Sequence, residues 1–178
     1  MPDNLLPDIK NKFYTQDYSP KPIIEGIIVK DLKNYPGEDG DFSELFRLKN
    51  GKPELFPDFE IKQINRSKVF PGGVKAWHFH FLQDEIWYIS PHDNLLLGLW
   101  DLRNDSQTKK QTMRLTLGGS SSRMVYIPRG VAHGCVNLSK NPSEIYYFLN
   151  NNFNPEKPDE QRMPWNTLGA DFWQPQKD

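Results

Sequence analysis

Apolar and polar positions alternate in short stretches through the middle of this chain, and turn residues break the alternation every eight to twelve positions. That period of two marks half-buried β-strands. It predicts strands over Ile23 to Leu32, Asp41 to Leu48, Ile61 to Phe70, Lys75 to Phe81, Glu85 to Ser90 and Asn94 to Asp101. The run continues over Met113 to Leu117, Met124 to Ile127, Ala132 to Asn137 and Glu144 to Leu149. Asn50-Gly51 is a hairpin signal, because both positions of a tight primed turn need a left-handed backbone. Pro71-Gly72-Gly73, Gly118-Gly119 and Asn141-Pro142 separate later strands by turn chemistry of their own. Many short strands with regular turns imply an all-β sandwich or barrel. No internal repeat and no long amphipathic helix competes with that reading.

The ends follow a different pattern. Met1 to about Pro20 reads as an arm, floppy or exchanged with a neighbour, and residues 150–178 as an irregular tail. The stretch Asn150 to Pro164 is too polar and proline-rich for a strand and reads as an ordered tail or a loop across the barrel. A chain of 178 residues suits one domain spanning 1–178. A formal net charge of −1 provides no field to gather nucleic acid. No run approaches the ~18 apolar residues of a membrane span. The lone Cys135 has no partner for an internal disulfide, which favours a reducing compartment and a cytoplasmic location.

Three of the four histidines fall in two short segments. Alternation points His78 and His80 to one face, with Trp77, Phe79 and Phe81 on the other. Glu85 follows one turn later, and His133 lies in a later strand that can pair beside the first. Imidazole and carboxylate hold divalent transition metals and also move protons near neutral pH. His78, His80, Glu85 and His133 are therefore candidate ligands for Fe, Mn, Ni or Zn, with open positions for a small oxygen-rich substrate of a metal-dependent enzyme. An aromatic pocket of Trp77, Trp87, Tyr88 and Trp100 is a third possibility, in which the protein binds a sugar or acid without turnover.

The segments match G-x5-H-x-H-x4-E (Gly72, His78, His80, Glu85) and P-x-G-x2-H-x3-N (Pro128, Gly130, His133, Asn137), and so resemble the two motifs of the cupin superfamily. His92 and Ser122 stand where those motifs usually have glycine. The resemblance implies a double-stranded β-helix, or jelly roll, with the ligands inside. A narrower likeness runs from about Ile23 to Trp173. Its signals include Asp41-Phe42-Ser43-Glu44-Leu45-Phe46, Tyr126-Ile127-Pro128-Arg129-Gly130 and Trp165-Asn166-Thr167-Leu168-Gly169. In these the chain resembles the dTDP-4-dehydrorhamnose 3,5-epimerase family.

That resemblance implies an epimerase or isomerase of carbohydrate biosynthesis acting on a nucleotide-linked 4-keto-6-deoxy sugar. It implies His78 as the base, Tyr147 as the acid and His133 as an oxyanion donor. Lys75, Arg66, Arg129 and Glu44 would contact substrate, and the enzyme would be a homodimer. Several positions depart from the family. Glu85 stands where the family has an oxyanion-stabilising lysine, Lys75 and Asp39 replace arginines, and His80 replaces a glutamine. The family's histidine-orienting aspartate falls past the Trp-Asn segment, where the chain runs out near Asp178. The losses weaken a metal-free mechanism, while His80 and Glu85 restore a metal-ligand set.

Overall fold

The computed structural model describes residues 6–9 and 12–176. Fourteen strands follow in chain order: β1 Ile28–Asp31, β2 Asn34–Gly37, β3 Gly40–Ser43, β4 Leu48–Lys49, β5 Lys52–Pro53, β6 Gln63–Val69 and β7 Val74–Phe79. Then come β8 Glu85–Ile89, β9 Asn94–Asp101, β10 Thr112–Gly118, β11 Arg123–Ile127, β12 Val131–Asn137, β13 Ser143–Leu149 and β14 Gln161–Arg162. The helical elements described are two single 3₁₀ turns, Pro7–Ile9 and Ala170–Trp173. Two five-stranded sheets carry the fold, ordered β1-β11-β8-β13-β6 and β10-β9-β12-β7-β14, with every pairing antiparallel. This is the all-β jelly roll that the sequence implied.

Alternation sorts the side chains into three apolar layers. Leu95, Leu97 and Leu99 of β9 point inward and meet Trp87, Val125, Ile127 and Ile145 of the other sheet. Leu96 and Trp100 of β9 point outward, where Trp77, Phe172 and Trp173 cover them. On the far side Ile86, Tyr88, Met124 and Phe148 lie under Phe56 and Phe59 from the connection before β6. Strands buried on both faces explain why β8 and β12 contain no exposed residue at all. The inner layer is apolar toward one end and polar toward the other, and the polar end holds the histidines.

Gly98 and Gly134 are opposite each other in the β9–β12 register. A Cβ on Gly98 would come within 2.6 Å of Phe172 and 2.7 Å of Trp173, so this glycine is the seat of the C-terminal turn. Gly98→Ala is expected to destabilise the fold by about 1–3 kcal/mol through overpacking. Urea unfolding checks this, and a midpoint equal to that of the unsubstituted protein would contradict it.

The boundaries correct some expectations. Asn34-Tyr35-Pro36-Gly37, outside every strand expected from alternation, forms β2, paired with β3. The single strand expected over Asp41 to Leu48 is divided between β3 and β4. Asn50 and Gly51 adopt φ of 52° and 78°, the left-handed pair a primed hairpin requires. Ile23 to Ile27 is outside β1 and turns instead, Ile27 N–H donating to the Ile24 carbonyl at 3.1 Å. The polar tail contains a short strand after all: β14 pairs with Phe79 and His78 of β7. Backbone pairing there needs no apolar alternation, so composition could not reveal it. Phe81 lies past the end of β7 and is exposed rather than packed with Trp77. Of the proposed N-terminal arm, residues 1–5, 10 and 11 lie outside the described residues, and 12–22 form no strand. Among the described residues, no helix is long and apolar enough to cross a membrane.

Candidate active site

Strand register gathers the site. His133 of β12 is the direct partner of His78 of β7, their ring centroids 5.3 Å apart. His80 follows the end of β7, and its ring lies 5.6 Å from that of His133. Glu85 enters from the opposing sheet, at the first position of β8. Its Oε1 is 2.9 Å from His80 Nε2, and its Oε2 is 3.5 Å from His133 Nε2. Two donors fix the carboxylate from behind: Trp87 Nε1–H to Oε2 at 2.6 Å and Gln83 Nε2–H to Oε1 at 2.8 Å. Trp87 also meets both His133 and Tyr147 edge-on, at 5.4 Å and 5.0 Å.

Backbone carbonyls set the histidine tautomers. A carbonyl only accepts, so His133 Nδ1 carries the hydrogen it shares with the Val131 oxygen at 3.1 Å. Burial holds the His133 pKa below the usual value despite Glu85, so the ring is neutral. Its Nε2 therefore presents a lone pair, buried and without a hydrogen-bond partner. His80 Nδ1 likewise donates to the Asp159 carbonyl at 2.8 Å. Burial alone would depress the His80 pKa, but the hydrogen bond and charge of Glu85 raise it. Glu85 is buried too, yet the hydrogen bonds and charge of His80 and the N–H of Trp87 hold its carboxyl well below the usual range. A positive charge must therefore sit between His80 Nε2 and the carboxylate. A proton on His80 supplies it, and a bound cation would do the same.

His78 differs from its neighbours. Burial, with His133 alongside, depresses its pKa to about 3, so it is a neutral base at physiological pH. Among the described residues, no carboxylate bonds to its ring; the carboxylate of Glu85 is engaged by His80 and Trp87 instead. Tyr147 enters from β13, on the other sheet, and burial pushes its phenol above the usual value, so it stays protonated. His78 and Tyr147 line one cavity of about 1230 Å³ from opposing walls. Lys75, Lys157 and Arg162 add cations to the lining.

The donor atoms of His80, Glu85 and His133 all lie within 4.8 Å of one another. This fits a divalent cation chemically: two imidazole lone pairs and a carboxylate, with both imidazole N–H groups oriented by backbone carbonyls. His78, the fourth expected ligand, is outside that group. The expected role of His133 as an oxyanion donor fails for a neutral ring whose one N–H is already committed to Val131.

Three expected substrate contacts are elsewhere. Arg66 pairs with Glu144, because alternation along β6 turns it away from the Asn65 and Ser67 that line the cavity. Arg129 is held by Asp84, which accepts from its N, Nε and Nη2 at 2.9, 3.0 and 2.8 Å. Glu44 pairs with Arg47 beside a smaller cavity of about 380 Å³. The aromatic pocket is not formed either. Trp77 and Trp100 belong to one apolar layer, Trp87 to a second and Tyr88 to a third, and none lines the main cavity. Asp159 and Gln83 were missed: neither occupies a recognisable motif, and only the folded tail brings Asp159 to His80.

Related proteins share this arrangement of sheets. A dTDP sugar isomerase from Desulfovibrio desulfuricans superposes with a TM-score of 0.71 at 24% identity, covering 82% of this chain and 88% of that one. A dTDP-6-deoxy-D-glucose-3,5-epimerase from Legionella pneumophila, solved in complex with dTDP-4-keto-L-rhamnose, superposes with a TM-score of 0.67 at 25% identity, covering 79% and 73%. The spore coat polysaccharide biosynthesis protein SpsL of Bacillus subtilis is 38% identical over 152 residues, 84% of this chain and 97% of that protein. The family profile for dTDP-4-dehydrorhamnose 3,5-epimerase matches residues 21–177. With that match over nearly the whole length, and with His78 and Tyr147 facing each other across the cavity, the chain belongs to the dTDP-4-dehydrorhamnose 3,5-epimerase family.

Proposed function

We propose that the protein epimerises a carbon next to the keto group of a nucleotide-linked 4-keto-6-deoxy sugar. One observation carries this reading: a neutral imidazole, His78, and a protonated phenol, Tyr147, reach one cavity from opposing sheets. His78 takes the proton from the carbon, and the C–H electron pair moves to the carbonyl to give an enolate. Tyr147 delivers its proton to the other face of that carbon, restoring the ketone with inverted configuration; the phenolate then regains a proton from solvent and the His78 imidazolium releases one to it. Lys75, with Lys157 and Arg162 on the lining of the same cavity, would meet the diphosphate. The test is incubation of the purified protein with dTDP-4-keto-6-deoxyglucose in D₂O. Deuterium entering the ring carbons beside the ketone is the expected result, and none after prolonged incubation overturns the reading.

A second reading adds a metal to the same site. The partnerless Nε2 of buried His133, aimed at the Glu85 carboxylate, favours it. His80, Glu85 and His133 would hold Fe, Mn, Ni or Zn, and such an ion would polarise the sugar carbonyl as a Lewis acid. That replaces the charge the family's lysine supplies, a role Glu85 with its own negative charge cannot fill. Elemental analysis of protein purified without chelator is expected to find about one ion per chain, and thermal unfolding is expected to shift down on chelation. Metal-free protein with full activity would exclude this reading. The proposal extends to a cytoplasmic homodimer. Phe13, Tyr14 and Tyr18 support it as exposed aromatics on a segment outside any strand, which a second copy would cover. Light scattering of the purified protein decides between monomer and dimer.

A further inference from the structure

Asp159 grips the wall of the site twice. Its carboxylate accepts the backbone N–H groups of Phe81, Leu82 and Gln83 at 3.0, 2.8 and 3.0 Å, tying down the turn between β7 and β8. Its own carbonyl accepts from His80 Nδ1 at 2.8 Å. The tail around it is fixed along β7 by β14 and by the reciprocal bonds of Trp77 and Met163, at 3.2 and 3.1 Å. Residues 151–155 and 157–162 form one wall of the cavity. A single residue thus fastens the cavity wall, the turn leading to Glu85, and the ring of His80.

We propose that Asp159 is a positioning residue that couples seating of the C-terminal segment over the cavity to the aim of His80, so that a divalent cation in the cradle and the seated segment stabilise each other. The inference rests on the metal reading above. With the Asp159 carboxylate in place, the carbonyl of the same residue is held where His80 Nδ1 must donate to it, and Nε2 is left facing Glu85 Oε1. Without the carboxylate, the carbonyl loses its anchor and the ring its preset direction. Coupling of this kind is reciprocal: whatever the segment contributes to cation affinity, the cation returns to the segment.

Two measurements with Mn²⁺ or Zn²⁺ alone test it, on the full-length protein, Asp159→Ala, Asp159→Asn and a His80→Ala control. Calorimetric titration is expected to show roughly 10–100-fold weaker binding for Asp159→Ala, the usual penalty for losing the support of a metal-bound histidine. Asp159→Asn, which keeps the shape but turns an amide toward backbone donors, should fall between. Trypsin cleavage after Arg162 should slow on adding metal to the unsubstituted protein and respond less in Asp159→Ala. Circular dichroism confirms folding of each variant, and Asp159→Asn carries the test if Asp159→Ala does not fold. Unchanged affinity and unchanged protection in the Asp159 variants, with binding lost in His80→Ala, would overturn the coupling and leave the metal reading standing. No binding by the unsubstituted protein overturns both.

Discussion

His78→Asn is expected to lower turnover of a 4-keto sugar nucleotide about 10²–10⁴-fold, the range for loss of a positioned general base. The fall should come in kcat, with KM little changed. Deuterium should stop entering the substrate, because no other group described at the cavity wall is a neutral base placed like His78. Tyr147→Phe should behave differently. It removes the acid but leaves the base, so exchange on the His78 face persists while inversion is lost. Full epimerase activity in Tyr147→Phe would mean that water or another donor protonates the far face. A base whose pKa rests near 3 is weak in the free protein. It strengthens as the reaction proceeds, because the enolate that forms beside it is an anion and stabilises the imidazolium. A cation at His80, Glu85 and His133 would act from the other direction, by making the C–H bond more acidic.

Most of the fold and the centre of the site were legible in the sequence. Asn94 to Asp101 emerges with the boundaries that alternation predicts, because Leu95, Leu97 and Leu99 face the core while Leu96 and Trp100 face a second apolar layer. His78 and His133 meet because two strands that each carry one imidazole pair directly. What stayed hidden was set by partners distant in the chain. Arg129 has the charge to hold phosphate, but Asp84 claims it. Arg66 could have been excluded beforehand, since period-two alternation turns it away from the face that Asn65 and Ser67 share. The roles of His80 and His133 depend on which nitrogen carries hydrogen, and Asp159 and Val131 decide that through carbonyls that every residue has. Side-chain pattern contains no trace of such bonds.

Stability should fall steeply in acid, and His78 is one of the groups responsible. Its pKa is about 3 in the folded protein against 6.5 as the ordinary value, so between those limits the unfolded chain binds a proton that the native state refuses. Stability is then lost as pH drops from 6.5 toward 3, and no more is lost to this group below that. At roughly 1.4 kcal/mol per unit, the gap amounts to about 5 kcal/mol. His133, also depressed by burial, adds loss of the same sign. Glu85 joins below its ordinary 4.5: its folded pKa is depressed, so the stability it gives is present above 4.5 and disappears as pH falls toward the folded value. His80 works in the opposite sense. Its pKa is raised, so its contribution is complete below 6.5 and is lost only as pH rises through the folded value. His78→Asn removes the first of these effects and leaves the others. Urea unfolding at pH 7 and pH 4 should therefore show the variant losing several kcal/mol less than the unsubstituted protein on acidification, and becoming the more stable of the two at pH 4. Parallel losses in both proteins would place the acid sensitivity on Glu85 and His133 instead, and would mean that His78 is far less shielded from water than its position between β12 and β14 implies.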